Sequence, residues 1–155
     1  MLKGIDPLLT PDLLRVLAAM GHGDEIVIAD ANFTARSLAR RADGAVPVID
    51  LAGAGVLRAC EAVMSLLPLD AAVACPVALM QVCDRPAGWR SALQRALVER
   101  FEAAGWAGAA QVEAVERFAF YDRVRGAQAI VLTGELQPYA NVILKKGVIS
   151  EPLAA

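Results

Sequence analysis

The sequence predicts a layered α/β/α single domain with a central, largely parallel or mixed sheet. Two patterns and a length carry that expectation. Stretches with apolar residues at three- and four-residue intervals alternate with short, nearly continuous apolar runs, the signatures of surface helices and of strands buried on both faces. Alternation of the two along one chain is the mark of layered α/β architecture. At 155 residues the chain has the size of one domain with a substantial core. Residues 1–150 are expected to form that domain and 151–155 a loose or interface-bound tail.

Thr10 is a favourable N-cap, Pro11 suits a first helical position, and Leu13, Leu14, Leu17 and Met20 follow at helical spacing, predicting a helix over 11–20 that Gly21 ends. Residues 25–29 (E-I-V-I-A) read as a buried strand delivering Asp30 at its C-terminal end. From Thr34 to Asp50 the pattern is weak. Arg36, Arg40 and Arg41 suggest a solvated or interface-facing segment, and Val46–Ile49 a short strand.

Residues 54–66 carry Val56, Leu57, Cys60, Val63 and Met64 at helical intervals, stopped by Pro68. An apolar strand is expected over 72–83, and a helix over 85–105 opened by Pro86 and capped by Gly105. A further helical segment begins near Glu116. It sets Arg117 and Tyr121 four residues apart on one face, where they can converge on one ligand. Residues 127–133 and 141–144 complete the expected strands. Between these, an extended backbone would point Tyr139 and Asn141 to the same side.

Composition removes several function classes. Fifteen Lys and Arg against 17 Asp and Glu give a net charge of −2, with no basic field for nucleic acid. Hydrophobic residues reach 57%, yet the longest run without a charged residue, Ala71–Cys83, is too short to span a bilayer. The apolar excess points instead to a subunit interface. The N-terminus lacks the pattern of a secretion signal. Three cysteines, without C-x-x-C spacing, read as reduced thiols of a cytoplasmic protein. With a single histidine and no cysteine pair at ligand spacing, a structural zinc site is not expected. There is no phosphate-binding glycine loop, nucleophile elbow or repeat.

What remains is a set of groups for moving protons on a neutral polyhydroxylated ligand. His22 lies in a glycine turn beside Asp24 and Glu25, and imidazole titrates nearest neutral pH. Its competing reading is an ordinary surface turn, and that of Asp30 is turn chemistry. Arg117 offers several fixed donors, Tyr121 and Tyr139 a phenol with a flat apolar face, and Asn141 a donor and an acceptor. The alternative for Arg117 and Tyr121 is aromatic stacking within the core.

Three separated motifs, M-G-H-G-D-E-I-V-I-A-D-A-N-F (20–33), R-F-A-F-Y-D-R (117–123) and T-G-E-x-x-x-Y-x-N-x-I-L-K-K-G-V (133–148), resemble the RbsD/FucU sugar mutarotase family, which contains L-fucose mutarotase and D-ribose pyranase. The opening L-K-G-I-D-P-L-L-T-P-D-L-L fits as well, so the similarity covers most of the chain. The resemblance implies a cofactor-free isomerase acting on a free monosaccharide by general acid/base ring opening and closure. It assigns catalysis to His22 and Tyr121, and substrate binding to Asp30, Asp70, Met80, Arg117, Tyr121, Tyr139, Ala140 and Asn141. Without it, Asp70 reads as a loop residue and Met80 as core. It further implies a homo-oligomer, often a ring-based decamer, with sites at subunit boundaries. G-H-G-D and R-F-A-F-Y favour the L-fucose branch, while P-Y-A-N is shared with ribose-type members and Thr34 replaces a usual proline. D-ribose pyranase and a non-catalytic sugar-binding accessory of uptake are the alternatives.

Overall fold

A computed structural model describes residues 2–40 and 44–151. Its first helix, α1 (Pro11–Ala19), begins where the local chemistry directs: the Thr10 hydroxyl accepts from the Leu13 amide and Pro11 occupies the first turn. Strand β1 (Glu25–Ala29) follows, then a short helix α2 (Ala35–Leu38) and β2 (Val48–Leu51), two residues later than the expected strand. Helix α3 (Val56–Met64) and strand β3 (Val77–Met80) come next. Beyond them lie α4 (Ala92–Ala103), β4 (Val112–Val115), α5 (Arg117–Gly126), β5 (Ala129–Thr133) and β6 (Val142–Lys145).

The six strands form one mixed sheet in the order β2-β5-β1-β6-β3-β4. Strand β6 runs antiparallel to both β1 and β3, while β1–β5, β2–β5 and β3–β4 pair in parallel. Five strands therefore share one direction, and their C-terminal ends line one edge of the sheet.

Side-chain alternation divides the core between the two faces. Ile26 and Ile28 of β1 pack with Leu13, Leu17, Cys60, Val63, Leu97 and Phe101 from α1, α3 and α4. Val27 and Ala29 pack on the other face with Leu38, Phe120 and Val124 from α2 and α5. Both faces are covered, which is why the central strands read as unbroken apolar runs. The expected α/β/α layering is the architecture observed.

Besides the shift of β2, two segments differ from expectation in their boundaries and one strand is additional. The strand proposed for 72–83 shrinks to Val77–Met80, because the Asp70 carboxylate accepts from the Ala72 amide and closes a turn before it, and Asp84 adopts φ 59° after it. Helix α4 begins at Ala92 rather than at Pro86. Ser91 and Gln94 form a capping box there, and Pro86–Trp89 is a turn. Strand β4 was not anticipated: its four residues include Glu113, which breaks the apolar run. Arg41 and the tail beyond Glu151 lie outside the described residues. Among the described residues no helix is long and apolar enough to cross a membrane.

Candidate functional site

At the C-terminal edge of the parallel strands an open cleft of about 220 Å³ is lined by Asp30, Asn32, Phe33, Thr34, Met80, Arg117, Tyr121, Pro138, Tyr139 and Asn141. That edge is where ligands are usually held in α/β sheets. The volume lies below the roughly 300–1,000 Å³ of drug-sized sites, in scale with a small ligand.

Asp30 leaves β1 at the floor of the cleft and is almost wholly buried. Its Oδ1 accepts from the Asn32 amide at 3.0 Å and its Oδ2 from Asn141 Nδ2 at 2.9 Å. The Tyr139 and Ala140 amides are also directed to it. Burial dominates these donors and raises the Asp30 pKa above the ordinary aspartate value. Ala140, 1% exposed, thus meets the site through its backbone.

Asn141 precedes β6 and faces inward. Its Oδ1 accepts from the Asp30 amide at 3.0 Å, and its Nδ2, besides donating to Asp30, lies 3.8 Å from Met80 Sδ. The carboxamide thereby fixes the carboxylate. The extended-backbone argument for Tyr139 and Asn141 fails, because Tyr139 has φ 63° in a turn. Both still reach the cleft, by a route that period-two spacing does not describe. Tyr139 also lies against Cys83, whose contact raises the phenol pKa together with burial.

Glu116 caps α5, its carboxylate accepting from the Phe118 and Ala119 amides. That start sets Arg117 and Tyr121 one turn apart, and both line the cleft as their spacing predicts. The guanidinium of Arg117 stacks over Phe118 with 4.8 Å to the ring centroid. Among the described residues its buried Nε has no hydrogen-bond partner, a donor in want of an acceptor. Tyr121 packs edge-on against Phe33.

His22 and Asp70 are elsewhere. The His22 turn is held by the Gly21 amide donating to Asp24 Oδ2 at 2.7 Å and the Gly23 amide donating to the Lys146 carbonyl at 2.8 Å. Gly23 has φ 84°, open to glycine at little cost. His22 Nε2 stands 3.1 Å from Asp70 Oδ1, with the imidazole half exposed and the carboxylate buried. The Ala72 amide, then His22 and Lys145, hold the Asp70 carboxyl below its ordinary pKa against the opposing effect of burial.

This pair lies at the N-terminal edge of β1, whereas Asp30 lies past its C-terminal end. Five strand residues intervene, and at about 3.3 Å each that is roughly 16 Å. Within one chain Asp30 is thus out of reach of the His22 imidazole, and Asp70 stands beside it. One chain brings together Asp30, Met80, Arg117, Tyr121, Tyr139, Ala140 and Asn141, and separately His22 with Asp70. Asn32, Phe33 and Pro138 also line the cleft and are not among the sequence candidates, while Thr34 enters the sequence reading only as a departure from the family pattern. The D-A-N turn geometry was the only local signal for Asn32.

The model of the RbsD / FucU transport protein family matches residues 3–149. Over 151 residues, 96% of this chain and 96% of the relative, the sequence is 48% identical to an L-fucose mutarotase of Glaesserella parasuis serovar 5 (strain SH0165). Among solved structures, the fucose mutarotase of Streptococcus pneumoniae in complex with L-fucose is similar with a TM-score of 0.82 and 35% identity, covering 96% of this chain and 100% of that one. Bacillus subtilis RbsD complexed with D-ribose is similar with a TM-score of 0.69 and 26% identity, covering 97% of this chain and 100% of that one.

Proposed function

The chain belongs to the RbsD / FucU family, and on that premise we propose that it is an L-fucose mutarotase, an isomerase interconverting the α and β anomers of the free sugar. The observation that carries this reading is near-full-length similarity to L-fucose mutarotases, joined to a cleft of donors, acceptors and aromatic faces at the C-terminal edge of the parallel strands. Similarity to the fucose-bound structure exceeds that to the ribose-bound one, which favours L-fucose over pyranose/furanose exchange of D-ribose.

The reaction requires two proton movements. A proton reaches the ring oxygen while another leaves the anomeric hydroxyl. The ring opens to the aldehyde, the C1–C2 bond rotates, and closure on the other face returns both protons. No electrons are transferred and no group is lost. General acid/base catalysis contributes about a hundred- to ten-thousandfold to such steps.

Asp30 in this scheme accepts sugar hydroxyls, held in place by Asn141. Arg117 and Tyr139 hold further oxygens, and Tyr121 supplies a ring face and a phenol near the reacting centre. His22 is the principal acid/base, with Asp70 orienting the imidazole through Nε2. The separation of the two groups within one chain supports a composite site, in which His22 and Asp70 of one subunit close on the Asp30 cleft of a neighbour. Exposed Phe118 and Leu136 on the cleft side, and Val148 and Ile149 beyond β6, offer apolar surface for that contact. The assembly proposed is a homo-oligomer, a ring-based decamer. Free Cys60, Cys75 and Cys83 are in keeping with a cytoplasmic setting.

Proton NMR saturation transfer between the α and β anomeric signals of L-fucose and D-ribose tests the proposal. Accelerated exchange on L-fucose is expected. Acceleration of D-ribose alone would favour the pyranase reading, and sugar binding without acceleration would leave a binding accessory.

A further inference from the structure

We propose that Gln94 of α4 is a positioning residue for the sugar cleft, its carboxamide clamping the Tyr139 turn and the end of β3 from the opposite layer of the domain. The inference rests on the sugar-site reading above. Helix α4 belongs to the core face away from α5, and its sequence suggests packing alone. Yet Gln94 is buried to 2% exposure, rare for a glutamine, and every polar atom of its side chain is engaged. Nε2 donates to the Met80 carbonyl at 2.8 Å and to the Tyr139 carbonyl at 3.1 Å, while Oε1 accepts from the Ser91 amide at 3.1 Å.

The two carbonyls belong to residues that both line the cleft. Tyr139 occupies the left-handed region at φ 63°, a conformation that persists in a non-glycine residue only where surroundings fix it. Its amide and that of Ala140 face Asp30, and Asn141, which grips Asp30, comes next. A donor on the Tyr139 carbonyl therefore constrains the strained turn that presents the phenol and aligns the donors around the carboxylate. The Met80 carbonyl bond ties that turn to β3, where the Met80 amide already donates to the Asn141 carbonyl at 3.1 Å. Gln94 does not touch the cleft and acts through Tyr139 and Met80.

The role separates from helix capping by substitution. Gln94→Glu keeps the Oε1 acceptor for the cap and removes the donors. Gln94→Met removes both at similar volume. Ser91→Ala weakens the cap and leaves the Nε2 donors in place. Hydrogen–deuterium exchange of residues 136–141 in the ligand-free protein is the first readout, and KM and kcat for anomer exchange of L-fucose the second. Both Gln94 variants are expected to accelerate amide exchange in that segment and raise KM about tenfold, the scale of a buried polar group losing its partner, with kcat changed by less than about threefold. Ser91→Ala is expected to lower the thermal midpoint without changing KM. Unchanged exchange at 136–141, or an unchanged KM in both Gln94 variants, overturns the proposal, as does the same KM shift in Ser91→Ala. If the wild type accelerates no sugar, the functional reading fails, and the exchange measurement still decides the clamp.

Discussion

Asp30 and Asn141 grip each other twice across 111 residues of chain: the Asp30 amide donates to Asn141 Oδ1 at 3.0 Å, and Asn141 Nδ2 donates to Asp30 Oδ2 at 2.9 Å. Removing the carboxamide leaves a buried backbone N–H and a buried carboxylate oxygen each short of a partner. Asn141→Ala should lower stability by about 1–3 kcal/mol and weaken sugar binding. Denaturant midpoints and KM measure the two effects.

Asp30 also predicts a pH dependence. Burial raises its pKa, so on acidification it takes up a proton at a pH above the ordinary value of 3.8. If the carboxylate accepts sugar hydroxyls, KM should rise as pH falls through that upper carboxylate range, and Asp30→Asn should flatten the profile. Stability has its own sign. A raised folded-state pKa contributes stability below the unfolded value and loses it as pH rises through the folded value. The wild-type advantage over Asp30→Asn should therefore shrink from acid toward neutral pH in denaturant titrations.

The His22–Asp70 pair yields a test of the composite site. His22→Ala should reduce kcat about a hundred- to ten-thousandfold while circular dichroism stays native, since a half-exposed turn residue supports little packing. Asp30→Asn should be strongly impaired as well. When the two variants are unfolded, mixed and refolded together, activity should reappear, because a chain with His22 can then face a chain with Asp30. An inactive mixture, alongside a wild-type protein that regains activity on the same refolding, would overturn the composite site.

Gly147 backs the Asp70 segment so closely that a Cβ there would meet the Leu69 carbonyl and Asp70 Cα, backbone that cannot swing aside. Gly147→Ala should cost about 1–3 kcal/mol as an overpacking substitution. It should lower turnover as well, by displacing Asp70 from His22. Thermal melts and saturation transfer would separate the two losses.

Thiol reactivity should follow burial. Cys60 is fully buried in α3, and desolvation pushes its pKa up, so little nucleophilic thiolate forms. Iodoacetamide on the native protein should alkylate Cys75 and Cys83 and spare Cys60, as peptide mass spectrometry would read. L-Fucose should slow alkylation of Cys83, which lies against Tyr139.

The sequence was most informative where structure is locally enforced. Thr10 and Pro11 start α1 by capping its first turn, and the doubly buried interiors of β1 and β5 must be apolar. Arg117 and Tyr121 share a face because a helix of known pitch joins them. Local rules failed where two signals competed. Pro86 looked like the start of α4, while the Ser91–Gln94 box five residues on began it. Glu113 concealed β4.

By itself, then, the sequence determined the layered architecture, the helical and strand segments with strong periodicity, and the chemical types available for the site. Tertiary structure decided which of those groups meet. His22 and Asp30 are eight residues apart and look like neighbours, yet an extended strand between them carries each to an opposite edge of the sheet. Asp30 and Asn141 are distant in sequence and are brought into hydrogen-bond contact because β6 pairs antiparallel with β1. Gln94 gains its place only because α4 crosses behind the ends of β3 and the Tyr139 turn. Periodicity reports which face of an element is buried. The pairing of distant strands decides what that face touches.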